Sequence, residues 1–83
     1  MSLLQLDLVD AGICRVCSPS GLHVGNLKRI GGVWKFKAIG YTAVGEVTPG
    51  GGPLTDKHNA VFAQLDEANI HQVLFEGVGV LGF

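Results

Sequence analysis

The run Leu22 to Tyr41, LHVGNLKRIGGVWKFKAIGY, constrains this chain more than any other stretch, because Gly31-Gly32 stands between two segments that alternate in polarity. Two adjacent glycines take up the positive φ angles of a two-residue I′ or II′ turn at no steric cost, so the run predicts a β-hairpin. Placing Ile30 opposite Val33 sets the register, with Leu27 across from Phe36 and Arg29 across from Trp34. A second reversal is expected at Ser18-Pro19-Ser20-Gly21, a type I turn with Ser first, Pro second and Gly fourth. If that turn sets Cys17 opposite Leu22, Val16 faces His23 and Cys14 faces Gly25. Leu4, Leu6 and Leu8 alternate with Gln5, Asp7 and Val9, which adds a first strand ending at Asp10-Ala11-Gly12.

The predicted sheet then sorts its side chains into two layers. One face carries Cys14, Val16, His23, Leu27, Arg29, Trp34, Phe36 and Ala38. The other carries Arg15, Asn26, Lys28, Lys35, Lys37 and Tyr41 among the aliphatics Ile13, Val24, Ile30, Val33 and Ile39. A slip of one residue would exchange the two sets, so the register fixes inside and outside together.

Beyond Tyr41 the pattern loosens into a strand extension or a bulge at Gly45, followed by the Gly50-Gly51-Gly52 loop closed by Pro53. From Leu54 the period changes: Leu54, His58, Val61, Phe62 and Leu65 fall on one helical face, with Pro53 and Asp56 suited to a helix start. Asp66 is placed to cap a second helical piece, Glu67 to Leu74, unless the two are continuous. The fold class expected is therefore α+β in a single domain: a twisted antiparallel meander of three to five strands over residues 3–48, the glycine loop at 49–53, and one or two helices within 54–75 covering the Trp34/Phe36 face. The apolar tail 76–83, interrupted by glycines, is expected to pair as a last strand with a sheet edge or a neighbouring subunit.

Composition narrows the function classes. Apolar residues make up 47% of the 83 and charged residues 16%, below the roughly 25% of an average soluble domain, which favours a shared interface. A homo-oligomer is expected, and another protein partner is compatible with the same surface. The chain contains no uninterrupted apolar run of the length a membrane-spanning helix needs, so no membrane partner is implied. Acids near the N-terminus argue against a secretory signal, two cysteines are too few for a disulfide framework, and a cytoplasmic location is the default.

Four constellations bear on chemistry. Cys14-Arg15-Val16-Cys17 has C-x-x-C spacing, but residues three apart on a strand point to opposite faces, and no helix follows to activate a thiolate; two small strand cysteines and no metal is the better reading. Gly77-Val78-Gly79-Val80-Leu81-Gly82 matches G-x-G-x-x-G without room for the helix that holds a pyrophosphate, so no dinucleotide cofactor is implied. Tyr41, Thr55 and His58 gather near the glycine loop and form a candidate small-ligand pocket, against the plainer view that His58 is a hydrogen-bonded structural residue. Arg15, Lys28, Lys35 and Lys37 with Tyr41 form the fourth group, a cationic sheet face able to hold a polyanion or an acidic protein surface. Charge is segregated to match: residues 11–45 hold five cations and no acid, whereas residues 46–83 hold Glu46, Asp56, Asp66, Glu67 and Glu76 against Lys57. An overall pI near 6.2 and the aliphatics on the same face place nucleic acid behind a protein partner. No serine, cysteine or carboxylate pair is placed to act as a catalyst, so a non-catalytic interaction module is preferred over an enzyme.

The stretch Val24 to Gly40, VGNLKRIGGVWKFKAIG, resembles the Trp-containing hairpin near the C-terminal end of the tellurium-resistance and stress-protein (TerD) domain family, with its progression of Gly, Leu, Arg, Gly, Trp-Lys-Phe, Ala and Gly. The resemblance implies a β-rich, calcium-binding stress module. It covers about one fifth of the chain. The family's ligands lie in Asp-rich segments that this sequence lacks, and the chain is less than half the family's usual domain length, so no binding residue carries over.

Overall fold

The computed structural model describes residues 3–76, which form a mostly antiparallel sheet with one short helix. Six strands run β1 (Gln5–Asp10), β2 (Ile13–Cys17), β3 (His23–Ile30), β4 (Val33–Tyr41), β5 (Val47–Pro49) and β6 (Val61–Phe62). Their order in the sheet is β1-β2-β3-β4-β5, with β6 also paired to β4.

The central hairpin follows from its turn. Gly31 and Gly32 sit at φ 57° and 85°, the left-handed pair that a I′ turn requires, and the strands pair Ile30 with Val33, Leu27 with Phe36 and Arg29 with Trp34. The two flanking reversals share another device. Ser18 and Thr42 each accept the amide of the residue three positions on (Gly21 and Gly45), and their hydroxyls accept the amides of Leu22 and Glu46. Each is a three-residue loop closed by a left-handed glycine.

That loop geometry, with a bulge beyond it, moves the β2–β3 register from the expected one. Cys17 pairs with His23 but Val16 pairs with Gly25, so Val24 is the extra residue of a β-bulge, and Cys14 pairs with Leu27 rather than Gly25. The two consequences are opposite in sign. Because the total shift at Cys14 and Val16 is two residues, their facing is unchanged; because the bulge inserts one residue, His23 and Val24 exchange sides. Val24 joins the core, while His23, expected on the apolar face, lies on the other.

The largest correction concerns residues 54–65. Leu54, His58, Val61, Phe62 and Leu65 have helical spacing, yet Thr55–Lys57 make only a 3-10 turn, Asn59 takes φ 75°, and Val61–Phe62 form a strand. The competing demand comes from β4. The backbone groups of Trp34, Phe36, Ala38 and Gly40 point away from β3, and a helix that spends its own N–H and C=O groups internally has none to offer them. Segment 58–62 supplies partners instead: β6 pairs with Trp34 and Lys35, Asn59 donates to the Phe36 carbonyl and Phe36 donates to the Ala60 carbonyl, both at 2.7 Å. The second helical piece does form, as α1 (Glu67–His71) continued by a π-helical turn at Gln72–Glu76. Asp66 caps it, accepting from the Asn69 amide at 3.1 Å.

Cys14, Val16, Val24, Leu27, Trp34, Phe36 and Ala38 of the sheet share one buried cluster with Leu4, Leu54, Phe62, Ile70 and Leu74. Leu27, Phe36, Ile70 and Leu74 are wholly shielded from water, each side chain contributing on the order of 1.5–3 kcal/mol by burial. A further tie joins the chain ends of this layer: the Leu4 amide donates to His71 Nδ1 at 3.0 Å. The apolar tail expected to add a strand lies at 77–83, outside the described residues, as does the G-x-G-x-x-G match.

Candidate functional site

The face opposite the core is built in rows by the strand register. One row reads Asp7, Arg15, Asn26, Lys37 across β1 to β4. The next reads Asp10, Ile13, Lys28, Lys35, Val61. Lys28 therefore stands directly across from Lys35, at the roughly 5 Å Cβ spacing of cross-strand partners, with Arg15 and Lys37 one row away. Arg15 and Lys28 are exposed, and Lys35 and Lys37 are half-buried. Only Lys37 is tied to a side-chain acceptor by a described bond: its Nζ donates to Asn59 Oδ1 at 2.7 Å. The left-handed backbone of Asn59 lets one residue serve both β4's main chain and this lysine.

Beyond Lys37 the face becomes aromatic and uncharged. Tyr41, half exposed, meets His23 Nδ1 at 3.0 Å through its hydroxyl, and His23 Nε2 meets Asn26 Oδ1 at 3.1 Å. Tyr41, His23 and Asn26 thus form one hydrogen-bonded chain across two strands, ending beside Arg15 and Lys37. At the opposite end, Ile30 and Val61 are 48% and 55% exposed, so the cations are rimmed by apolar side chains that gain nothing from water.

The second expected site is assembled differently. His58 Nδ1 accepts the Ala38 amide at 3.0 Å, occupying the place in the β4 ladder where a carbonyl would stand. The Ala38 carbonyl is met by Gly50 N–H at 2.7 Å, and Thr55 Oγ1 donates to the Gly50 carbonyl at 2.6 Å. Gly52 and Gly40 touch backbone to backbone; a Cβ on Gly40 would fall 2.6 Å from Gly52 N, and one on Gly52 would collide with the Ile39 carbonyl. Thr55 and His58 are therefore joined through Gly50, while the Tyr41 hydroxyl engages His23 on the sheet face. No cavity opens among the described residues.

The cysteines are separated as strand geometry requires. Cys14 is buried in the core, and Cys17, opposite His23 and Gln5, is only partly covered. Burial pushes the Cys14 thiol above its ordinary value, outweighing a hydrogen bond with the Asp7 backbone that acts the other way. Among the described residues no three His, Cys, Asp or Glu side chains converge as metal ligands, and no helix is long and apolar enough to cross a membrane.

Sequence reasoning reached Arg15, Lys28, Lys35, Lys37, Asn26 and Tyr41 as one surface because alternation alone decides a face. It missed His23, turned over by the bulge at Val24, and Asn59, whose only local sign was an Asn able to adopt a left-handed backbone. Comparison of the chain with protein-family models, with curated proteins and with solved structures returns no match.

Proposed function

We propose that this chain is a small non-catalytic interaction module that assembles with itself, using the open sheet face as its docking surface. The observation that carries the reading is Lys28 set directly opposite Lys35, with Arg15 and Lys37 in the adjoining row. Like charges facing each other across a strand pair cost roughly 0.2–1 kcal/mol, a cost relieved when negative charge lies over them. The helical segment covers the other side of the sheet, a view supported by Ile70 and Leu74 sharing the buried cluster with Leu27 and Phe36. The cationic face is then the sheet surface left for a partner. A single-stranded nucleic acid is the second reading, favoured by the half-exposed Tyr41 ring at the end of the cation rows, on which a base would stack.

Light scattering across a dilution series tests the first reading. Wild type is expected to exceed the monomer mass of 8.7 kDa as concentration rises, and Lys35→Glu to return it toward monomer. The same substitution replaces a repulsive pair with an attractive one, so the isolated fold should gain roughly 0.2–1 kcal/mol in urea unfolding. A wild-type mass that stays monomeric at high concentration removes the assembly claim. Salt-sensitive oligonucleotide binding by that monomer, lost in Lys35→Glu, would install the second reading.

A further inference from the structure

The open face of this molecule carries net positive charge and the helical side net negative charge, exposed Arg29 beside Trp34 being a cation set among the acids of the latter. Arg15, Lys28, Lys35 and Lys37 lie on the former. Asp66 and Glu67 are exposed at the start of α1, whose Ile70 is buried with the core-facing side chains of the sheet, and Asp56 is exposed on the 3-10 turn. Resting on the reading of the open face as a docking surface, we propose that its occupant is a second copy of this chain bound head to tail, the cationic face of one copy against the acidic helical side of the next.

Like-charge repulsion, the apolar rim and the acids of the same chain together select this arrangement. Two open faces meeting about a two-fold axis would bring together four cations from each copy with only Asp7 and Asp10 from each to oppose them, a net repulsion. The rim of the face is apolar, with Ile30 and Val61 about half exposed beside half-buried Ile13 and Val33; such a rim is stabilised against a protein surface and gains little from a phosphate backbone. The complementary charge is supplied by the same sequence, since residues 46–67 carry Glu46, Asp56, Asp66 and Glu67 against Lys57. A heterologous contact of this kind closes only if the rotation between copies completes a ring, and otherwise extends as a filament. Growth beyond a dimer is its signature.

The test uses four samples of the full chain: wild type, Lys28→Glu/Lys35→Glu, Asp66→Lys/Glu67→Lys, and an equimolar mixture of the two variants, each checked for folding by Trp34 emission. Molar mass is measured by light scattering at about 50 mM and about 0.5 M salt, conditions between which the screening length falls about threefold. Wild type should show a mass three or more times the monomer at low salt, falling at high salt. Each variant should be monomeric alone, and the mixture should regain mass because each reversed surface finds a reversed partner. Persistence of wild-type mass in either folded variant overturns the head-to-tail contact while leaving assembly intact. A mass that stops at dimer overturns the heterologous symmetry. A wild-type monomer that binds a single-stranded oligonucleotide through Lys28 and Lys35 overturns the second copy as occupant while keeping the face as a docking surface. A wild-type monomer that binds nothing overturns both this proposal and the reading beneath it.

Discussion

Replacing His58 should separate the contribution of one hydrogen bond from that of the ring that makes it. His58 Nδ1 is the acceptor for the Ala38 amide at 3.0 Å, and Ala38 is 1% exposed, so without the imidazole that donor has no immediate route to water. His58→Leu keeps the bulk, excludes water and removes the acceptor. A buried unsatisfied donor costs about 1–3 kcal/mol, against a total stability on the order of 5–15 kcal/mol. For a domain of this size, 2 kcal/mol corresponds to a fall in Tm of about 8–16 °C. His58→Asn places Oδ1 close to the position of Nδ1 with a smaller side chain and should recover a substantial part of the loss. Urea unfolding followed by Trp34 emission gives the free energies, and hydrogen exchange at the Ala38 amide gives the local readout. Equal stabilities for the Leu and Asn variants, or undiminished protection of the Ala38 amide in His58→Leu, would refute the argument that the imidazole completes the β4 ladder.

Asp66→Ala should destabilise the fold by about 1 kcal/mol and lower helicity at α1, seen by circular dichroism, because the Asn69 amide loses its cap. Gly52→Ala is expected to cost more, about 2–4 kcal/mol, since its φ of 86° disfavours a side chain and the added Cβ meets the Ile39 carbonyl, an atom that cannot swing away; thermal melts would show it. Burial holds the Cys14 thiol above 9.0, its ordinary value, so the unfolded chain releases this proton first as pH rises. Stability from Cys14 is therefore fully present below about pH 9 and is lost as pH climbs through the folded value. Urea midpoints of wild type should fall more steeply than those of Cys14→Ala from about pH 9 upward, and parallel profiles would contradict the assignment. In the native state at about pH 8, a thiol reagent should modify partly exposed Cys17 far faster than Cys14.

Local chemistry made the central hairpin legible, and tertiary demand hid the rest. Gly31-Gly32 admits one kind of reversal, which fixed Leu27 opposite Phe36 and with it the cationic face. Asp66 announced its helix by being a capping residue before a short apolar-periodic run. The β2–β3 bulge left no mark in the alternation, because an inserted residue that turns His23 outward and Val24 inward still reads as a mixed strand. Residues 54–62 were misleading for a deeper reason. The helical spacing from Leu54 to Leu65 was real, but β4 had four residues with main-chain groups on its outer side, and satisfying those outweighed a marginal helix of about twelve residues whose nucleation is itself unfavourable. The cationic rows could be deduced from register; the Tyr41–His23–Asn26 chain could not, since it depends on the bulge.

The way β4 is flanked also imposes an order of events on folding. Along its β3 side every partner lies within one hairpin, and β1, β2 and β3 are joined by short reversals. Its other side is completed by three separate pieces, β6, His58 and the Gly50–β5 segment, two of which lie about twenty residues or more away in sequence. Closing such loops costs entropy before any contact rewards it, so the four-stranded ribbon assembles early and the 58–62 segment zips on late. In pulse-labelled exchange, the amides that join β3 to β4 should become protected ahead of those of Phe36 and Ala38, whose partners must first travel back along the chain.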